Sequence, residues 1–133
     1  SRCSGWAVDL RLREYAAANP GSRLAKRIEK EGCEARHWMA AIDEGDEGAV
    51  ALLGDVCREL AFGLSHVVHL LNPAVIILGG GLSLVGESLR LGVKEALGQA
   101  VMEVLRPGPI VRLAELAEDA VPVGALHLAL MGD

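Results

Sequence analysis

The feature that most constrains the fold is residues 74–78, Ala-Val-Ile-Ile-Leu, which follow Asn72-Pro73 and end in the glycines Gly79–Gly81. The run is continuously apolar and rich in β-branched side chains, which is typical of a strand covered on both faces in a parallel sheet. Pro73 ends whatever helix precedes it, and the glycines stop the strand. The sequence therefore predicts a buried strand that ends in a short loop, called here the glycine loop (Gly79–Gly81).

The residues before this strand predict helices. They cover residues 5–18, 22–32, 34–43 and 46–72, with Ser4 and Ser22 as N-caps of the first two. The last of these is the strongest, because Asp46 and Glu47 favour its positive N-terminal end. Its apolar side chains recur at steps of three and four residues on one face, and apolar Phe62 on the opposite side predicts burial over much of its circumference. The face consists of Leu53, Val56, Cys57, Leu60, Leu64, Val67, Val68 and Leu71.

The residues after the glycine loop predict a helix over 87–105, a strand over 110–116 and a final helix over 122–131, with Pro122 in its first turn. The fold class is thus α/β, helical over 1–72 and β-α-β-α over 73–133. Two strands are too few for a sheet covered on both faces. With 51% apolar residues and Ser1 rather than Met at its start, the chain is expected to be one lobe of a larger protein.

Composition excludes several classes of protein. The net charge of −5, with scattered Lys and Arg, argues against a nucleic-acid-binding surface. No apolar run reaches the roughly 18 residues of a membrane span, and the charged, periodic residues 6–11 are not expected to belong to a signal peptide. Cys3, Cys33 and Cys57 are an odd number without CxxC spacing, which favours free thiols in a reducing cytoplasm.

The glycine loop is the motif that carries chemistry. Without Cβ atoms a ligand can approach the backbone, and the N–H groups there, with the amino end of the next helix, favour phosphate. The alternative is a plain tight turn between strand and helix. A Walker loop is excluded because Gly86 is followed by Glu87 rather than Lys, and the glycine spacing does not fit the dinucleotide fingerprint.

Other polar residues have simpler explanations than catalysis. His66 and His69 could share a metal ion, but no Cys or paired carboxylate stands near them in sequence. His37 is expected at the surface and His127 in a packing role. Two acidic groups remain. A solvated loop and helix N-terminus around Gly45 explain Asp43, Glu44, Asp46 and Glu47. A polar loop explains Glu115, Glu118 and Asp119, although these could reach a ribose or an approaching substrate.

Taken together, the landmarks resemble the C-terminal part of the ROK family (repressors, open reading frames and kinases), which contains sugar kinases and sugar-responsive regulators. The matching stretches are Ser-Gly-Trp-Ala at 4–7, a helix running into Asn-Pro at 63–73, the strand with Gly-Gly-Gly at 74–83, and Val-Gly-Ala-Leu at 123–126. The resemblance spans nearly the whole chain.

The resemblance implies an actin- and hexokinase-type architecture of ribonuclease-H-like lobes, with ATP, Mg and a sugar between them. Gly79, Gly80 and Gly81 carry over as nucleotide contacts, and Ser83 as a further one through its hydroxyl or N–H. The catalytic aspartate, the phosphate loop of the first lobe and the family's zinc motif have no counterpart in this sequence. The implied partners are the N-terminal lobe, a sugar substrate and a second copy of the chain.

Three functions remain open at this point. The first is the nucleotide-binding lobe of an ATP-dependent sugar kinase, inactive by itself. The second is the effector-binding and dimerisation part of a sugar-responsive transcriptional regulator, with its DNA-binding segment upstream. The third is a helical interaction module with no nucleotide site.

Overall fold

A computed structural model of the chain describes residues 5–31, 35–116 and 119–131. Ser4, Cys3, Cys33 and Glu118, for which predictions were made above, lie outside these ranges. The helices and strands, in chain order, are α1 (Gly5–Ala18), α2 (Arg23–Glu31), α3 (Ala35–Asp43), α4 (Glu47–Leu71), β1 (Val75–Leu78), α5 (Glu87–Ala100), β2 (Ile110–Leu113) and α6 (Ala120–Met131). Short 3₁₀ helices occupy Gly81–Val85, here called the loop helix, and Glu103–Leu105.

The predicted order of helices and strands is confirmed, and β1 and β2 form a parallel pair. Val75 lies opposite Ile110 and Leu78 opposite Leu113, with α5 as the crossover. One face of this pair joins the core, where Ile76 and Val111 are buried with the apolar side of α5. The other face is open, and Ile77 on it is 65% exposed. Residues 5–31, 35–116 and 119–131 therefore do not cover both faces of β1, contrary to the prediction.

Packing of α4 on α5 forms the centre of the core. The two helices approach closely at Gly92, where an added Cβ would lie 2.6 Å from Cys57 Sγ. The predicted apolar face of α4 is buried at Val56, Cys57 and Val68, but its last member, Leu71, is 75% exposed. Phe62 is exposed as well, so burial over most of the circumference of α4 was a wrong prediction for its C-terminal half.

Helix α5 ends at Ala100, not at the predicted residue 105. Val101 adopts an extended conformation (φ −84°, ψ 139°) with its side chain buried. The N–H of Met102 then donates to His69 Nε2 at 3.1 Å instead of continuing the helical ladder. Burial of Val101 and this bond to α4 turn the chain out of the helix, which leaves Val104 exposed.

The helical half is joined at one buried carboxylate, that of Asp46. Asp46 caps α4, its Oδ1 accepting the N–H groups of Gly48 and Ala49 at 3.1 and 3.0 Å. It also accepts the N–H of Leu24 on α2 at 3.1 Å and the hydroxyl of Tyr15 on α1 at 3.3 Å. Three helices therefore meet at one side chain.

The solvated loop and helix N-terminus predicted around Gly45 need correction at one position, Asp46. Asp46 is only 8% exposed, because its oxygens are needed inside the helix junction. Glu44 is exposed and forms a surface ion pair with Arg27 of α2. Burial by itself would raise the pKa of Asp46, but the hydrogen bonds from Ala49, Leu24 and Tyr15 outweigh it and hold that pKa below its ordinary value.

Helix α6 is apolar and lies exposed along its length, with Leu128 at 73%. Pro122 lies in its first turn, as predicted. A helix apolar on all sides is normally buried. None of the helices in the described residues has the combination of length and apolarity that crossing a membrane requires.

We expect Asp46→Asn to lower the free energy of unfolding at pH 7 by about 1–3 kcal/mol, because the cap and the links to α1 and α2 lose their charge. The depressed pKa of Asp46 gives stability that is present above the unfolded value and lost as the pH falls through the folded value. The difference between the two proteins should therefore shrink in acid. Urea melts at several pH values measure it, with exposed Asp43→Asn as control; equal stability at pH 7 would contradict the role given to Asp46.

A pair of glycines in α5 tests the close contact with α4. Gly92→Ala is expected to lower stability by about 1–3 kcal/mol, because the new methyl group overlaps Cys57 Sγ. Gly98→Ala, where nothing lies within 4 Å of the added atom, should raise stability by about 0.5–1 kcal/mol through helix propensity. Thermal or urea melts compare the two, and shifts of the same sign would disprove this packing.

Candidate functional site

The glycine loop lies at the carboxyl end of β1, beside the carboxyl end of β2. A Cβ at Gly79 would lie 3.4 Å from Ala114 Cβ, at the point where the neighbouring strand ends. Gly79 and Gly80 are exposed, so the backbone is open to solvent at this edge. Ligands of α/β sheets commonly bind at this edge.

Gly80 gives the loop its backbone shape. Its φ of +77° with ψ of −176° is a conformation that side-chain-bearing residues avoid, while the space around its missing Cβ is empty. Among the described residues, the N–H groups of Gly79 and Gly80 donate no hydrogen bond. They leave exposed donors of the kind that bind an anion.

Ser83 is placed differently from the sequence expectation. Its side chain is buried, and both its hydroxyl and its N–H donate to the carbonyl oxygen of Gly80, at 2.7 and 2.9 Å. The two donors considered for a nucleotide are thus used inside the loop. Ser83 fixes the orientation of the Gly80 peptide, and a direct contact remains a prediction for Gly79, Gly80 and Gly81.

The loop helix joins the glycine loop to α5. Val85 is buried, and Gly86 (φ +76°) turns the chain into the first turn of α5. There Arg90 donates to both carboxylate oxygens of Glu87 at 2.7–2.9 Å, and this hydrogen bonding holds the pKa of Glu87 below its ordinary value. The pair is neutral overall, so Glu87 does not place an uncompensated negative charge beside the loop.

The histidines do not join this site. His66 Nδ1 lies 2.8 Å from the carbonyl of Phe62 on the same helix, and His69 accepts the N–H of Met102, which follows α5. His127 lies exposed on α6, and His37 is half-buried on α3. Within the described ranges, no cluster of three or more His, Cys, Asp or Glu residues is suited to a metal ion.

Burial raises the pKa of the Cys57 thiol to about 11, so the thiol stays protonated in the core. Glu115 and Asp119 follow β2 and are exposed.

Two parts of the site were not identified from the sequence. One is the loop helix, since no structure is predicted from the sequence for residues 82–85. The other is Gly86, whose positive φ allows the chain to turn from the loop helix into α5. Gly86 was considered only as a misplaced member of phosphate-loop motifs; its position just before a helix could have signalled a turn with a left-handed residue.

Comparison with known proteins gives one family. The profile described as "ROK family" matches residues 3–131. Two curated glucokinases are similar, from Thermotoga maritima (32% identical over 106 residues) and Halalkalibacterium halodurans (29% over 104 residues). The matched region is 80% and 77% of this chain but only 33% and 32% of the relatives, so the chain spans about a third of their length.

Solved structures agree with this assignment. A ROK family glucokinase from Streptomyces griseus, in complex with glucose and AMPPNP, superposes with a TM-score of 0.80 at 27% identity, over 95% of this chain and 42% of that one. A sugar kinase fold from Cytophaga hutchinsonii superposes with a TM-score of 0.74 at 19% identity, over 93% of this chain and 41% of that one, and supports the fold alone. The α/β class and the sugar-kinase architecture expected from the sequence are confirmed. With nearly every residue inside the family match, the chain belongs to the ROK family.

Proposed function

We propose that this chain, over residues 1–133, is the nucleotide-binding C-terminal lobe of an ATP-dependent hexose kinase. The main support is a pair of exposed N–H groups, those of Gly79 and Gly80 at the carboxyl end of β1, which donate no hydrogen bond within the described residues. The relatives named glucokinase, and the likeness to one in complex with glucose and AMPPNP, favour a kinase over a sugar-responsive regulator. The proposed cellular location is the cytoplasm.

The glycine loop supplies binding and orientation in this proposal, not proton transfer. Phosphoryl transfer depends mainly on positioning and on stabilising the charge of the phosphates, and main-chain N–H groups can do both. Gly79, Gly80 and Gly81 would contact the nucleotide, and Ser83 would hold the Gly80 peptide in place. The base that accepts the sugar hydroxyl proton comes from residues outside this chain.

Mg would neutralise the phosphate charge while bound to ATP. In the part of the chain that the structure describes, no acidic cluster is suited to hold it. We therefore assign its protein ligands to the other lobe. The described residues likewise suit no zinc ion.

The other lobe would cover the apolar surfaces that this chain leaves open. These are the open face of the sheet, with Val75, Ile77 and Ile110, and the exposed side chains of α6. The matched glucokinase structure has more than half of its length outside the aligned region, which is enough for such a lobe. A homodimer through the exposed end of α4, around Phe62 and Leu70, completes the proposed assembly.

Gly80→Ala tests the glycine loop in the full-length polypeptide that carries this sequence. We expect the KM for ATP to rise about tenfold, because strain of about 1–3 kcal/mol displaces the donors from the phosphates. The KM for glucose should change little. Steady-state kinetics with Gly98→Ala as control measures this; an unchanged ATP KM, with the variant folded, would contradict the nucleotide contact.

The isolated chain should not phosphorylate glucose, because it lacks the base and the phosphate loop of the other lobe. A coupled ADP-release assay with ATP and a panel of hexoses measures this, using the full-length polypeptide as positive control. Turnover by the 133-residue chain alone would show that a catalytic group within it had been overlooked.

A further inference from the structure

Helix α3 lies against the loop helix, behind the glycine loop. Its Met39 lies over Gly86, the residue that turns the loop helix into α5. A Cβ at Gly86 would lie 3.7 Å from Met39 Sδ, an ordinary van der Waals distance. The flexible thioether of Met39 therefore borders the open side of Gly86, within contact distance of the backbone that turns into α5.

Helix α3 is itself held firmly in the helical half. Trp38 is 0% exposed, and its Nε1–H donates to the carbonyl of Ala49 in the first turn of α4 at 3.0 Å. Ala41 on the same helix is fully buried as well. Because α3 is fixed at these two residues, it forms a rigid support for the loop helix.

The connection from Met39 to the anion donors is short. Gly86 closes the loop helix through its N–H, which donates to the Ser83 carbonyl at 3.0 Å. Ser83 in turn donates twice to the Gly80 carbonyl. A shift of Gly86 toward α3 therefore moves Ser83 and, with it, the Gly80 peptide.

We propose that Met39 is a positioning residue for the nucleotide site. Its contact with Gly86 holds the loop helix in the position at which the N–H groups of Gly79 and Gly80 face a phosphate. Met39 does not touch the nucleotide. The inference rests on the proposed kinase function and adds to it a role for α3, a helix that shares no sequence motif with the glycine loop.

The test is Met39→Ala in the full-length polypeptide, with steady-state kinetics for ATP and glucose varied separately. We expect the KM for ATP to rise about fivefold, a loss of about 1 kcal/mol in nucleotide binding, while kcat and the KM for glucose stay within about twofold. Met39→Leu, which retains most of the volume, should restore the ATP KM. If the alanine variant does not accumulate, Met39→Val shortens the side chain more mildly and is expected to shift the same parameter.

Val8→Ala is the matched control, because Val8 is buried on α1 and contributes to stability without lying on α3 or the loop helix. An equal rise in ATP KM in Val8→Ala would mean that lost stability alone is responsible, and would overturn the proposal. An unchanged ATP KM in folded Met39→Ala, with Gly80→Ala still impaired, would overturn it while leaving the kinase function intact. Absence of ATP-dependent activity, or an unimpaired Gly80→Ala enzyme, would instead remove the proposed function and the role of Met39 with it.

Discussion

The helical half depends on one hydrogen-bonded carboxylate, that of Asp46. A carboxylate buried without partners would take up a proton, but here N–H groups of α2 and α4 and a tyrosine hydroxyl of α1 compensate the lost hydration. The contact also explains Gly48, since a Cβ there would lie 1.7 Å from Tyr15 Oη. Asp46 thereby fixes the start of α4, against which both α3 and α5 pack.

A series of contacts connects the helix junction at Asp46 to the glycine loop. The first turn of α4 receives Trp38 of α3, and α3 supports the loop helix. On the other side, α4 holds α5 through the tight contact at Gly92. The backbone donors of the proposed nucleotide site are thus supported by α3 on one side and by α5 on the other. Preorganised donors of this kind stabilise charge without having to rearrange first.

Much of this fold could be predicted from the sequence because its local signals agree. The Asn72-Pro73 stop, the β-branched run and the glycines mark the change from helix to strand without ambiguity. The helix boundaries of α1 and α6 are close to the predicted ones for the same reason. Where prediction failed, a distant contact decided the outcome. Asp46 is buried because Leu24 and Tyr15 reach it from other helices, and α5 ends early because Val101 enters the core and His69 captures the next N–H.

The exposed backbone at Gly79 and Gly80 agrees with the sequence, whereas their role in nucleotide binding stays a prediction. Three adjacent glycines predict an exposed backbone. They do not predict that the Ser83 side chain is turned inward or that α3 packs against the loop helix. Pairing and packing between residues far apart in sequence leave little trace in local pattern.

The two-stranded sheet has a further consequence for how such a chain folds. In the described residues β1 pairs with β2 alone, so each strand has one edge of N–H and C=O groups without a strand partner. Such edges can template pairing with other molecules, and two strands are marginal as a cooperative unit. Helix α5 is packed on α4 in the core, so it is protected together with the helical half. Hydrogen exchange and self-association should therefore begin at the open edges of β1 and β2.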